Sequence, residues 1–572
     1  MNAGGRGAAR AARGVAAMVA VVVAVAAAAA FEGCLAHGQE GSMRPIDVVV
    51  YSARRVRTLE PAQPLAEAVA VAGGKVREVG SLEAVRRAHP EARVVELPGV
   101  MVPGLADAHG HLRSLGNSLT VVDLTGAKSE AEVVARVKAA PPERRRSDWI
   151  EGRGWDQNLW PGQQFPGRAP LDEAFPDVPV YLVRVDGHAA WVNGEALRRA
   201  KVTGKTKDPE GGRILRDARG EPSGVLVDNA MDAAFKAIPP LTDEQLEARL
   251  ASAVAKCLAV GLTAVHDAGM DLRTFTLLQQ WDAVGRLPLR VYAMADGRGA
   301  DGDAYLERGT FRGRMLEMRS VKFWMDGALG SRGAALHEPY ADDPAQSGLL
   351  LWDAGELEAR VHAFMERGFQ VNVHAIGDRA NSMTLEVLER QAKQVPGNPG
   401  RHRVEHVQVL RLDDIPRLAR SGAIASMQPT HATSDMPWAE KRLGHERAKG
   451  AYAWKSLLEA GAKLAFGSDF PVEEPDPLHG LYAARTRQDA RGQPEGGWFP
   501  EQRLNGEQAL AGFTTGVAYA AFAEGERGRL APGMDADFTV LSVDPVEAAP
   551  LEVRGAKVLL TVVGGREVFR AP

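Results

Sequence analysis

The feature that most constrains the fold is a succession of eight short, β-branched apolar segments, most of them separated by segments of helical periodicity. In residues 243–260 and 354–367, for example, apolar positions recur every three or four residues. Eight parallel strands joined by helical crossovers are typical of a closed (β/α)8 barrel. The sequence therefore predicts an α/β protein built on a TIM barrel. The candidate strands are residues 101–106, 263–267, 289–293, 321–324, 370–374, 403–406, 423–427 and 464–469.

Both ends of the chain outside this pattern carry short β-branched runs separated by glycine turns. We expect a small β-sandwich domain made from residues 43–101 plus 509–572, flanking a barrel at 102–508. Many more residues separate the first two barrel strands than a βα loop needs. We interpret residues 145–235 within this stretch as an insertion that caps the barrel mouth.

The N-terminus has the pattern of a targeting segment. Arg6, Arg10 and Arg13 precede a continuous apolar run at residues 15–31. We expect residues 1–42 to be a signal peptide or an N-terminal membrane tether, and the protein to be exported to the periplasm or beyond. Two kinds of processing are compatible with this segment: lipidation at Cys34, or cleavage near Ala36 that removes Cys34. With only two cysteines, the chain has no disulfide framework.

Composition excludes some partners. Apolar residues make up 45% of the chain and charged residues 25%, and the formal net charge is −4. These values are ordinary for a soluble enzyme, and no basic patch indicates nucleic acid. We expect a small-molecule substrate, and formation of a homodimer is left open.

Residues of metal-ligand type stand where the predicted strands end, which is where active sites of such barrels lie. His109 and His111 follow the first strand, and residues i and i+2 of an extended segment point to the same side. Burying so many such groups unpaired would be costly, so packing alone explains them poorly. The pattern predicts one or two divalent ions, and imidazole with carboxylate favours zinc. The other candidates are Lys322 in strand four and His374, His406 and Asp469 at the ends of strands five, six and eight.

These motifs together resemble the amidohydrolase superfamily, and within it the branch that includes N-substituted formamide deformylase. The resemblance covers nearly all of the chain after residue 42, and in that superfamily a β-domain is formed from both termini. The motifs are Val102-Pro103-Gly104-Leu105-Ala106-Asp107-Ala108-His109-Gly110-His111, Asp326-Gly327-Ala328-Leu329-Gly330-Ser331-Arg332, His374-Ala375-Ile376-Gly377-Asp378, Glu405-His406 and Gly467-Ser468-Asp469.

The resemblance implies roles for these residues. His109, His111 and Asp469 would hold one metal, His374 and His406 a second, and an N-carboxylated Lys322 would bridge them. The alternative for Lys322 is a salt bridge with Asp326 and no metal role. A metal lowers the pKa of bound water to about 7, so hydroxide would be available at neutral pH. Asp469 would be the catalytic residue that takes up the proton and delivers it to the leaving amine.

Five residues are candidates for substrate binding, and four of them have a structural alternative. Arg332 could instead form a salt bridge, and Trp155, Asp156 and His188 could simply pack the insertion. His431 follows strand seven and could face the substrate. His266 and Asp267, at the end of strand two, could orient ligands or be structural residues of the barrel rim.

We expect hydrolysis of a non-peptide carbon–nitrogen bond in an amide, formamide or N-acyl amine. Cyclic amides, lactones or esters are alternatives on the same site. A binding or regulatory protein with a vestigial metal site is the alternative from another class.

Overall fold

The structure is a computed structural model in which residues 47–140, 145–146, 148–184, 189–209 and 212–572 are described. The predicted targeting segment with Cys34, and His188, lie outside the described residues. Among the helices described, none is long and apolar enough to cross a membrane.

Eight parallel strands form the predicted barrel, hydrogen-bonded in the order of the sequence. The first and eighth strands meet at their carboxyl ends, where Gly110 bridges Phe470 and the Asp469 N–H donates to the His109 carbonyl at 2.7 Å. The barrel strands are Leu105–Gly110, Leu262–Met270, Arg290–Asp296, Leu316–Trp324, Gln370–Ala375, Arg403–His406, Ile424–Met427 and Lys463–Phe466.

The predicted first strand is corrected by the structure. Residues 101–103 belong to a different sheet, because Val102 pairs with Thr539. One apolar run in the sequence thus contains parts of two strands, and Gly104 separates them. A Cβ at Gly104 would lie 2.3 Å from Thr263 Oγ1, so only glycine allows this close approach.

Helices surround the barrel and connect its strands. The helix Asp243–Ala259 begins with a reciprocal capping box between Thr242 and Gln245 and buries Leu250 and Val254 on one face. The other helices are Leu112–Thr120, Leu272–Ala283, Gly299–Arg308, Ala354–Glu366, Asp378–Gln394, Asp414–Ser421, Pro429–Leu443, His445–Ala448, Trp454–Glu459, Pro477–Thr486, Gly506–Gly512 and Thr515–Ala520.

The last of these helices, Thr515–Ala520, closes the amino-terminal end of the barrel. Its Val517 and Ala520 pack against the small side chains Ala106, Ala264 and Ala465 at the beginnings of barrel strands. The helical layer of the barrel therefore continues beyond residue 508, the boundary that the sequence predicted.

Strands from both ends of the described chain form one continuous seven-stranded sheet, which we call the terminal sheet. Helix Leu82–Ala88 covers part of one face, and helix Pro550–Arg554 precedes the last hairpin. Its strands are Val49–Arg57, Leu65–Ala72, Lys75–Gly80, Arg93–Pro103, Phe538–Leu541, Val558–Val563 and Arg566–Arg570.

A third sheet lies in the insertion and begins earlier than residue 145, at Val122. Apolar clusters cover it on both sides, one around Trp155 and Trp191 and one around Trp149 and Tyr181. Its strands are Val122–Asp123, Arg145–Arg146, Trp149–Trp155, Val180–Arg184, Ala189–Val192, Gly212–Arg216 and Pro222–Asp228, and its helices are Glu130–Ala139, Ala169–Ala174, Gly194–Arg199 and Met231–Phe235.

Candidate metal centre

Asp469 lies beside the two histidines of the first strand. Its Oδ1 is 3.0 Å from His111 Nε2 and 3.7 Å from His109 Nε2. Ligand atoms of these three residues all lie within 4.8 Å of one another. The barrel closure explains this meeting, because it joins the carboxyl ends of strands one and eight.

A second group of three shares Asp469 and includes a residue that the sequence assigned to substrate binding. Ligand atoms of His406, His431 and Asp469 also lie within 4.8 Å of one another. His431, in the first turn of helix Pro429–Leu443, has its Nε2 3.9 Å from Asp469 Oδ2. Its ring is nearly parallel to that of His406, with centroids 6.1 Å apart.

His374 lies next to this second group. Among the described residues, neither group of ligand atoms includes it. Its ring centroid is 4.5 Å from that of His406. Its Nε2 is 3.5 Å from Asp326 Oδ1.

Lys322 is fully buried in the same region, with Nζ 3.2 Å from His109 Nε2. Burial lowers the pKa of this amine to about 8. Asp326, the alternative partner, instead accepts backbone N–H groups of three residues that follow strands four and five: Ala335, Ile376 and Gly377.

Burial sets the charge states of the site. It lowers the pKa of His109 to about 4 and that of His374 to about 3, so both imidazoles are neutral at pH 7. Burial alone would raise the pKa of Asp469, but the hydrogen bond from His111 and the nearby imidazoles lower it well below its usual range. Neutral imidazoles beside an ionised carboxylate are the states in which these groups bind metals.

The residues present fit a divalent ion. His374 Nε2 and His431 Nε2 are buried nitrogens that have no hydrogen-bond partner within the part of the chain described. Unpaired buried polar atoms are uncommon and call for an explanation such as a bound ion. Imidazoles with one carboxylate are a donor set typical of zinc.

The sequence did not predict which side chains orient the imidazoles, although Glu405 is part of one of the motifs. His109 Nδ1 donates to Glu405 Oε2 at 2.6 Å, and Glu405 is paired with Arg403. His406 Nδ1 donates to Gln428 Oε1 at 2.8 Å. The available signal was alternation: Arg403 and Glu405 are two apart in one strand, so both face the barrel interior.

The remaining sequence candidates have structural partners. Arg332 forms a two-point contact with Asp342, and Asp156 lies 2.9 Å from Arg184 Nη2. Trp155 is fully buried in the insertion, where it packs against Trp160 and Trp191. None of these contacts reaches the two groups around Asp469.

His266 and Asp267, at the end of strand two, make different contacts. His266 Nδ1 is 2.9 Å from the Arg403 guanidinium. Asp267 accepts the Leu112 N–H at 2.7 Å, beside His111. His266 therefore contacts the arginine that pairs with Glu405, and Asp267 binds the backbone next to His111.

Residues 97–569 match the sequence profile of the amidohydrolase family. The chain belongs to this family. This amidohydrolase is 35% identical over 515 residues to the putative amidohydrolase YtcJ of Bacillus subtilis strain 168, covering 88% of this chain and 96% of that protein. It is 27% identical over 545 residues to the N-substituted formamide deformylase of Arthrobacter pascens, covering 91% of this chain and 97% of the deformylase.

A solved structure agrees with this assignment. An uncharacterized metal-dependent hydrolase from Pyrococcus horikoshii OT3 aligns with this amidohydrolase at a TM-score of 0.76 and 29% identity, covering 88% of this chain and 99% of that one. The predicted family and barrel are thus confirmed, and the chain is a hydrolase with a candidate metal site at the barrel mouth.

Proposed function

We propose that this amidohydrolase hydrolyses a non-peptide carbon–nitrogen bond of a small molecule, in an amide, formamide or N-acyl amine. The observation that carries the proposal is the position of Asp469, whose two carboxylate oxygens lie near His111 and His431 respectively. One buried carboxylate thus stands between two groups of imidazoles and belongs to both. The similarity to a formamide deformylase supports the bond type.

The proposed cofactor is zinc, as one or two ions. His109, His111 and Asp469 would hold zinc at one position. His406 would hold it at the other position, where His374 and His431 lie next to His406. When bound, zinc would lower the pKa of water and polarise the substrate carbonyl.

Asp469 would perform the proton transfers. Its carboxylate is ionised at neutral pH, so it can accept the proton from the attacking water. The protonated carboxyl group of Asp469 would then donate that proton to the nitrogen of the leaving amine. The contact between Asp469 Oδ1 and His111 Nε2, at 3.0 Å, orients the carboxylate between the two ligand groups.

Lys322 is the proposed bridging residue after N-carboxylation. In this step the neutral amine adds to CO2, a C–N bond forms, and one proton is released to solvent. The geometry favours this role, because Nζ is buried beside His109 Nε2, while Asp326 accepts three backbone N–H groups instead.

A substrate panel tests the proposal. The zinc-loaded protein should hydrolyse at least one N-formyl or N-acyl amine, with release of the amine measured directly. Turnover confined to lactones or esters would favour those substrates instead. A protein that binds metal and turns over no member of the panel would favour a binding or regulatory role.

We also propose that the protein is exported. Cell fractionation tests this proposal, and we expect the protein in the periplasmic or membrane fraction.

A further inference from the structure

The two buried imidazoles in the centre of the site are supported by different chemical groups. His109 donates from Nδ1 to a carboxylate oxygen of Glu405 at 2.6 Å. His406 donates from Nδ1 to an amide oxygen of Gln428 at 2.8 Å. In both rings the Nδ1 hydrogen bond leaves Nε2 as the nitrogen available to a metal.

Glu405 is held by a buried cation. Arg403 Nε lies 2.7 Å from Glu405 Oε1, and both side chains are fully buried. The guanidinium is fixed in turn, since it also donates to the Ala108 carbonyl at 2.6 Å and to Ser426 Oγ at 2.7 Å. The carboxylate that supports His109 is therefore charged and rigidly oriented.

Gln428 has neither property. Its amide is neutral, and no hydrogen bond in the described ranges holds its Nε2, whereas Glu405 has the ion pair at Oε1 and a hydrogen bond from Arg403 Nη2 to Oε2 at 3.2 Å. A carboxylate partner increases the basicity of a ligating histidine more than a neutral amide does, because it stabilises the positive charge that the ring acquires on binding a cation. Such partners change metal affinity by about 10- to 100-fold.

We propose that the two metal positions have unequal affinities, with Glu405 and Gln428 as the positioning residues that set the difference. The position that includes His109 binds its ion tightly, and the position that includes His406 binds an exchangeable ion. This inference rests on the proposed metal-dependent function. It implies that the free metal concentration determines whether one or two ions are bound.

The test is a zinc-binding curve of the full-length, metal-stripped protein in chelator-buffered zinc, with bound metal measured by elemental analysis. The wild-type protein should show two steps separated by at least about tenfold in free zinc. Gln428→Glu should move the weaker step to about tenfold lower free zinc and leave the tighter step in place. Gln428→Ala should move the weaker step to higher free zinc.

Glu405→Gln should weaken the tighter step by about 10- to 100-fold. Because that change leaves the buried charge of Arg403 unpaired, the folding of Glu405→Gln is checked by circular dichroism. If this variant does not fold, the Gln428 variants alone decide the test. The matched control is Gln280→Glu, which adds the same charge at an exposed helix position and should change neither step.

Equal affinities in the wild-type protein, or a weaker step that does not move in Gln428→Glu, would overturn the inference. A single wild-type step supports it only if Gln428→Glu produces a second step, and contradicts it otherwise. Failure of the wild-type protein to bind zinc at all would contradict the proposed function itself.

Discussion

Asp107 accepts two hydrogen bonds from Ser468, one from the hydroxyl at 2.7 Å and one from the backbone N–H at 3.1 Å. Asp107 also accepts the His109 N–H at 2.9 Å. A single buried carboxylate thus links strand one to the segment that carries Asp469. The relative position of the two histidines and Asp469 depends on this link.

Gly467 lies in the same contact, and its substitution tests the link. A Cβ there would be 2.5 Å from both Asp107 Oδ1 and His109 N, so Gly467→Ala must displace one of the two segments. We expect lower turnover and lower zinc affinity, measured on the purified variant. Gly397→Ala is the control, because no atom lies within 4 Å of a Cβ there. Unchanged turnover and affinity in Gly467→Ala would contradict the importance of the link.

Asp326 should be important for stability. Asp326→Ala removes the acceptor of three buried backbone N–H groups, at 2.8–3.0 Å from its oxygens. Leaving such donors unpaired costs about 3 kcal/mol or more in total. The thermal unfolding midpoint, compared at one scan rate, should fall, and less so in Asp326→Asn, which keeps one acceptor oxygen. The exposed Asp303→Ala is the control, and an equal effect of both alanine variants would rule this explanation out.

His402 should make the protein less stable in acid. It accepts the Val371 N–H at Nδ1, 3.1 Å away, and burial lowers its pKa from 6.5 to about 4. Between these values the unfolded chain binds more protons than the folded protein, so stability decreases as pH falls through this window. The full loss corresponds to about 3 kcal/mol.

The variant His402→Asn keeps an acceptor and removes the titration. Its unfolding midpoint should therefore decrease less than that of the wild-type protein between pH 7 and pH 4.5. Identical pH profiles of the two proteins would show that His402 does not contribute.

Much of the barrel was predictable, because a strand inside a (β/α)8 barrel leaves a short β-branched run in the sequence. The boundary of the first strand was not, because residues 101–103 continue the apolar run while pairing in the terminal sheet. The insertion sheet begins at Val122, earlier than predicted, because a strand of two residues has no recognisable period.

The candidate site was predictable by residue type but not by arrangement. His109, His111, His406 and Asp469 lie close together because parallel strands end on the same side of a barrel. Sequence does not indicate which nitrogen of an imidazole faces inward, nor which partner orients it, so the roles of Glu405 and Gln428 are seen only in the structure. The position of His431 next to Asp469 depends on how helix Pro429–Leu443 leaves strand seven.

The proposed mechanism is tested most directly by the turnover of Asp469→Asn with the best amide substrate of the panel. Zinc content is measured in the same sample, and Asp413→Asn, whose side chain is 92% exposed, is the control. We expect Asp469→Asn to retain zinc and to lose about 100-fold or more in kcat, because its amide cannot accept the proton. A variant with near-wild-type kcat would contradict the catalytic role of Asp469.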